Sequence, residues 1–159
     1  MFGLVFVLAA AQAAAAPPPV DASSDRIRHL PPWTESLEGK GWPFLDIDPT
    51  RSVVLFAKPD PNRQADSGLT RVLVRHEFKS DQPDKTNPTF RSEIIAAEID
   101  CSKRGVRYMN DHRYTGRNLT GKDVLYRFSD SAWQTPAEGS FDEEVVQAAC
   151  LQPDAQGEP

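Results

Sequence analysis

Two cysteines, three histidines and a scatter of arginines are the side chains of this 159-residue sequence with the most obvious chemistry. Cys101 ends the alternating stretch "FRSEIIAAEIDC" (90–101) and is followed by a basic turn, "SKRG"; Cys150 closes "GSFDEEVVQAAC". A nucleophilic thiol needs a base within hydrogen-bond reach. Neither cysteine has a histidine nearby in sequence, which leaves only a spatial neighbour. A metal centre needs close ligands, as in C-x-x-C or H-x-E, and neither spacing occurs. Free buried thiols and a disulfide are the other two options. In an exported chain an even cysteine count favours the disulfide.

His76, in "RHEF", falls on the inward face of an alternating stretch, where a base or a haem ligand is conceivable with His112 as a second ligand. A packed, hydrogen-bonded histidine is the more ordinary role for each, and His29 reads as solvated. In "DID" (46–48) Asp46 and Asp48 share a strand face, the spacing of a carboxylate pair, although a solvated edge is the simpler outcome. "NLT" (118–120) formally matches a glycosylation sequon. There is no G-x-S-x-G elbow and no Gly-rich phosphate loop. The sequence therefore assigns no catalytic residue, no metal ligand and no cofactor.

The basic residues form the remaining candidate. Arg71 and Arg75 share one strand face, Arg107 and Arg113 one face of another, and Lys103 and Arg104 occupy the turn. Such a face suits polyanions, acidic protein surfaces or carboxylates. The alternative is a solvated face whose cations are neutralised by Glu77, Glu93, Glu98 or an acidic helix.

The elements that must carry these residues are mostly of period two. "FLDIDPTRS" (44–52) is a short strand closed by an Asp-Pro turn, and "SVVLFA" (52–57) is a second strand. In "LTRVLVRHEFKS" (69–80), Val72, Val74, His76 and Phe78 face one way and Arg71, Leu73, Arg75 and Glu77 the other. Ile95, Ala97, Ile99 and Cys101 share a face of 90–101. The "SKRG" hairpin turn places Gly105 where positive φ is easiest. Val106, Tyr108, His112 and Tyr114 are expected on one side of 106–115, and "DVLYRF" (123–128) gives a sixth strand. The last element changes period. Ser140 with Glu143 is a capping box, three acids occupy the first turn, and Phe141, Val145, Val146, Ala149 and Cys150 make an apolar stripe. The prediction is an α+β domain: an antiparallel sheet of about six strands, one face covered by a C-terminal helix over about 141–151. Cys101 and Cys150 both point to that core and can meet there.

The N-terminus, "MFGLVFVLAAAQAAAAPPPV", has an apolar run too short to span a bilayer and an A-x-A pattern at Ala11–Ala13, as in a signal peptide. The expected organisation is a leader over 1–13, a Pro/Ala-rich arm and lead-in over 14–41, one domain over 42–151 and a flexible tail over 152–159. With no cysteine before Cys101, no lipid anchor is expected. Net charge is −5, unevenly spread: 71–127 carry 12 basic and 8 acidic residues, 128–159 carry 7 acidic and no basic ones. Nucleic acid is an unsuitable partner for an exported acidic chain.

The order of "DIDPT", "RSEIIAAEIDC" with "RGVRYMN", "YTG", Gly121, Val124, Trp133 and "GSFDEEVVQAAC" resembles the bacterial surface-adhesin protein E-like family over about residues 42–151. That resemblance implies a curved antiparallel sheet with the C-terminal helix tied to it through Cys101 and Cys150. It also implies a non-enzymatic, exported binding domain for a protein or polyanionic partner. The family's adhesins are lipid-anchored and bind host matrix and plasma proteins, and haem binding is attributed to them. A periplasmic structural or accessory protein of the envelope and a haem or small-molecule carrier are the alternatives.

Overall fold

The computed structural model describes residues 30–39, 41–61, 68–84, 87–128 and 131–151. The expected leader, most of the arm, His29 and the tail lie outside them.

Six strands form one open sheet in chain order: β1 (Phe44–Ile47), β2 (Val53–Pro59), β3 (Leu69–Gln82), β4 (Phe90–Asp100), β5 (Gly105–Tyr114) and β6 (Asp123–Arg127). Every neighbouring pair is antiparallel, as expected for strands joined by local connections. One α-helix among the described residues, α1 (Phe141–Leu151), follows. Its apolar stripe lies on the sheet, where Val145 and Val146 join Leu55, Val72, Val74, Ala97, Ile99 and Val106 in one buried cluster. Cys101 and Cys150 are bonded to each other, so the strand-end cysteine and the helix cysteine meet as the faces predicted. The cap of α1 differs in one detail. Ser140 Oγ accepts from Glu143 N–H at 3.2 Å, but the Glu143 carboxylate reaches back to Gly139 N–H, not Ser140 N–H.

The opposite face of the sheet is divided. Over β1 and β2 it is covered by the lead-in: a 3-10 turn (Pro32–Ser36) brings Trp33 and Leu37, with Trp42, onto Ile47, Val54 and Phe56. On β3 and β4 the 115–121 loop lies over Glu77 and Ser92.

Two local features depart from the sequence expectation. The β4–β5 turn takes its positive φ at Arg104, not at Gly105. Gly105 has another role: a Cβ there would stand 3.3 Å from the Trp133 ring, a tight contact from which the indole would have to shift by about a few tenths of an ångström. The second feature is a register shift in β5. Ala96 pairs with Asn110 while Ala97 pairs with Tyr108, which leaves Met109 as an extra residue. Such a bulge flips the alternation beyond it. Val106 and Tyr108 face α1, whereas His112 and Tyr114 face away, contrary to the single side expected for all four.

Candidate functional site

The face turned away from α1 carries three cross-strand rows, each set by the antiparallel register. One row runs Lys58, Leu73, Ala96, Asn110, Arg127 across β2 to β6. The next runs Arg71, Glu98, Arg107. The third runs Phe56, Arg75, Ile94, His112, Leu125. Adjacent strands lie about 4.8 Å apart and same-face neighbours along a strand about 7 Å apart, so the rows form a compact patch.

Glu98 is its centre. Its side chain is 1% exposed, and it receives Arg71 on one oxygen at 2.5 Å and Arg107 on the other at 2.5 Å. Burial raises its pKa, but the bonds from Arg107 and Arg71 outweigh that and hold the carboxyl below its ordinary range. Two guanidinium groups share one carboxylate, so the row keeps a surplus positive charge. Arg107 is further fixed by lying over the Trp133 ring, 4.8 Å from its centroid. Arg71 Nε is buried without a hydrogen-bond partner among the described residues. The patch adds Lys58, which sits 3.9 Å above Trp42, and the exposed Arg127. Leu125 and Trp133 stand 47% and 42% exposed beside these cations.

The six basic residues picked out by sequence do not form one surface. Arg71 and Arg107 are brought together. Arg75 is on the same face but only 2% exposed, sealed under the lead-in and bonded to Glu77. Arg113 lies beyond the bulge and projects to the α1 face, opposite to Arg107. Lys103 and Arg104 are exposed at the β4–β5 turn, paired with Asp100 and with Glu143 of α1. Each carboxylate weighed as a neutralising partner, Glu77, Glu93, Glu98 and the helix acid Glu143, holds at least one of these cations. Sequence reasoning overlooked Lys58, Arg127 and Trp133 as members of the patch. Only the strand register aligns them, and Gly105 just before Arg107 was the available hint of a ring packed on the backbone.

A clasp closes one side of the patch. Glu77, fully buried, accepts from Arg75 Nε at 2.8 Å and from Asn118 N–H at 2.9 Å. Arg75 also donates to Glu38 O and to Asn118 Oδ1. Asn118 completes the link by donating its amide to Ser36 O and accepting Glu38 N–H. The amide nitrogen a glycan would require is thus already engaged with the lead-in. Arg117, from the same loop, lies over Trp33 and donates to Phe78 O and Lys79 O.

The α1 face holds a separate charged cluster past the N-terminus of the helix. His76 bonds Glu93 at 2.8 Å and stacks on Phe141, and Arg113 reaches Asp111, Asp84 and Glu93. Tyr108 donates to Asp142 and Tyr126 to Asp84. His112 instead bonds Asp123 and Tyr114 on the other face. The two histidines therefore cannot ligate one ion or macrocycle together. The "DID" pair divides as well. Asp46 is buried, contrary to a solvated edge, while Asp48 accepts Ser52 and Val53 N–H at 2.6 Å and organises the β1–β2 turn. Burial raises the Asp48 pKa, but Thr50, Val53 and Ser52 bring it below the usual value.

Asp111 yields a pH prediction. Burial and then the Glu93 carboxylate push its pKa up to about 6, against the pull of Arg113. A carboxyl whose folded pKa exceeds its unfolded value contributes stability in full below the unfolded pKa, about 3.9, and loses it as pH rises through about 6. Asp111→Asn fixes the uncharged form. Its stability relative to wild type is expected to grow from near zero at about pH 4 to about 3 kcal/mol in its favour at about pH 7. Urea unfolding across that range is the measurement; a constant difference would contradict the assignment.

A family model described as surface-adhesin protein E matches residues 44–151. Two solved structures of Haemophilus influenzae protein E, crystal form II and a selenomethionine form, superpose with a TM-score of 0.50 at 8% identity. They cover 67% and 69% of this chain and 86% of theirs. At that identity they establish a shared fold. No curated protein sequence matches. Among the described residues no helix is long and apolar enough to cross a membrane.

Proposed function

The chain belongs to the surface-adhesin protein E family, and we propose that it is a non-enzymatic binding domain that engages a protein partner through the sheet face turned away from α1. Family membership supports a binding role of adhesin type. The observation that carries the choice of face is the division of that surface: the lead-in covers β1 and β2, while Leu125 and Trp133 stand exposed on the far side and Leu73, Ile94 and Ala96 are half-buried. Exposed aromatic and aliphatic side chains beside immobilised arginines are the composition of binding hot spots. The leader-like N-terminus supports export, to the periplasm or beyond it. The domain proper is residues 42–151, entered through an arm and lead-in over 14–41.

The test is site-specific photo-crosslinking in whole cells. A photoreactive residue at Leu125 is expected to capture a partner, and the same residue at Ala148 on α1 is not. Equal capture from both positions, or capture from Ala148 alone, would move the site off this face.

A further inference from the structure

We propose that the partner is read as an acidic, extended peptide segment whose carboxylates meet Arg71, Arg107 and Arg127 while its apolar side chains rest on Leu73, Ala96 and Leu125. This inference rests on the choice of face made above and adds the chemistry of the partner.

Three observations lead to it. The first is charge: Lys58, Arg71, Arg107 and Arg127 stand on two neighbouring rows against the single carboxylate of Glu98. A surplus of three cations on a chain of net charge −5 selects an anionic partner and repels basic ones. The second is preorganisation. Glu98 is fully buried and holds both guanidinium groups, and the Trp133 ring backs one of them. Fixed forks bind carboxylates with less loss of side-chain freedom than mobile lysines do. Arg71 also retains a buried Nε–H without a partner.

The third observation is the apolar strip. Leu73 and Ala96 lie between Lys58 and Arg127 within one row, and Leu125 is exposed on the adjoining row. A uniformly sulfated polysaccharide would bring no apolar group to cover it. An extended peptide whose same-face positions are acidic and apolar in turn (Glu-x-Leu-x) would match both features, because side chains at i and i+2 leave one face about 7 Å apart, the spacing of the rows beneath.

Fluorescence anisotropy of the oxidised protein against three probes tests the proposal: a labelled synthetic Glu-Ser-Leu-Ser repeat (the Glu–Leu peptide), its Lys-Ser-Leu-Ser counterpart (the Lys–Leu peptide), and a size-defined heparin fragment. The Glu–Leu peptide is expected to bind, to weaken as salt is raised, and to lose about tenfold in affinity in Arg107→Gln. Arg127→Glu, at an exposed position where folding is not at risk, is expected to show the same loss. Binding of the Lys–Leu peptide as strong as that of the acidic one would overturn the proposal. So would unchanged affinity in Arg127→Glu, or tighter binding of heparin at equal charge. Crosslinking from Leu125 without Glu–Leu binding would sink this inference and leave the face standing. Glu–Leu binding that is insensitive to both arginine variants would sink both.

Discussion

Oxidised protein carrying Cys150→Ser is expected to unfold about 10–20 °C below wild type, a loss of about 4 kcal/mol. The bridge closes a loop between residues 49 apart, and in the chain-entropy account a loop of that length restricts the unfolded ensemble by about this amount. For a domain with a total stability of about 5–15 kcal/mol the fraction is large. The location sharpens the effect. The helix has 11 residues, too few to persist alone in water, and only Val145 and Val146 are buried along it. Without the bond, the apolar hold of α1 on the sheet rests on those two residues and the flanking Phe141 and Ala149, with Tyr108–Asp142 and Arg104–Glu143 as its polar ties. Thermal denaturation with and without reductant measures it: reductant should bring wild type down to the variant and leave the variant unchanged. A shift below about 1 kcal/mol would show that packing alone holds the helix. Unfolded, unreduced wild type should also titrate no free thiol.

The disulfide was legible in the sequence because it needed only two facts, which strand face carries Cys101 and which helix stripe carries Cys150. Period two and period 3.6 supply both. The six strands and α1 were legible for the same reason, and their observed ends differ from the expected ones by a few residues. The arginine face was legible only in part. Alternation correctly put Arg71 and Arg75 together, but alternation knows nothing of what covers a strand. Trp33, Leu37 and the 115–121 loop arrive from far along the chain and bury Arg75. Alternation also assumes an unbroken strand. The extra residue at Met109 sends Arg113 to the far side from Arg107, and "VRYMNDHRYT" contains no glycine or proline to announce the bulge. Lys58, Arg127 and Trp133 were invisible for a third reason: their proximity is a matter of register between strands, which local pattern does not encode.

The buried Arg75–Glu77 pair gives the second large effect, and its sign depends on how many partners are removed. Arg75 and Glu77 are 2% and 0% exposed. Taking two ions out of water is costly, and the attraction between them with the surrounding hydrogen bonds offsets that cost only while every partner is present. Glu77 has bonds from Arg75 and Asn118 N–H; Arg75 in turn serves Glu38 O and Asn118 Oδ1. Burial pushes the Glu77 carboxyl pKa up, against the pull of Asn118 and Arg75, the balance expected of a charge retained only by its partners. Glu77→Leu alone strands a buried guanidinium and is expected to destabilise by about 3–5 kcal/mol. Arg75→Met alone strands the carboxylate, which can escape part of the penalty by taking a proton, so its loss should be smaller and should shrink further on acidification. The double variant Arg75→Met with Glu77→Leu removes both ions and should be more stable than Glu77→Leu by about 2 kcal/mol or more. Urea unfolding of the four proteins closes the cycle. Additive losses would mean that the two side chains act independently and that Asn118, not their mutual pairing, holds the lead-in against the sheet. A strongly non-additive result would establish that Arg75 and Glu77 act as one unit under the lead-in, where the covered half of the sheet meets the rest.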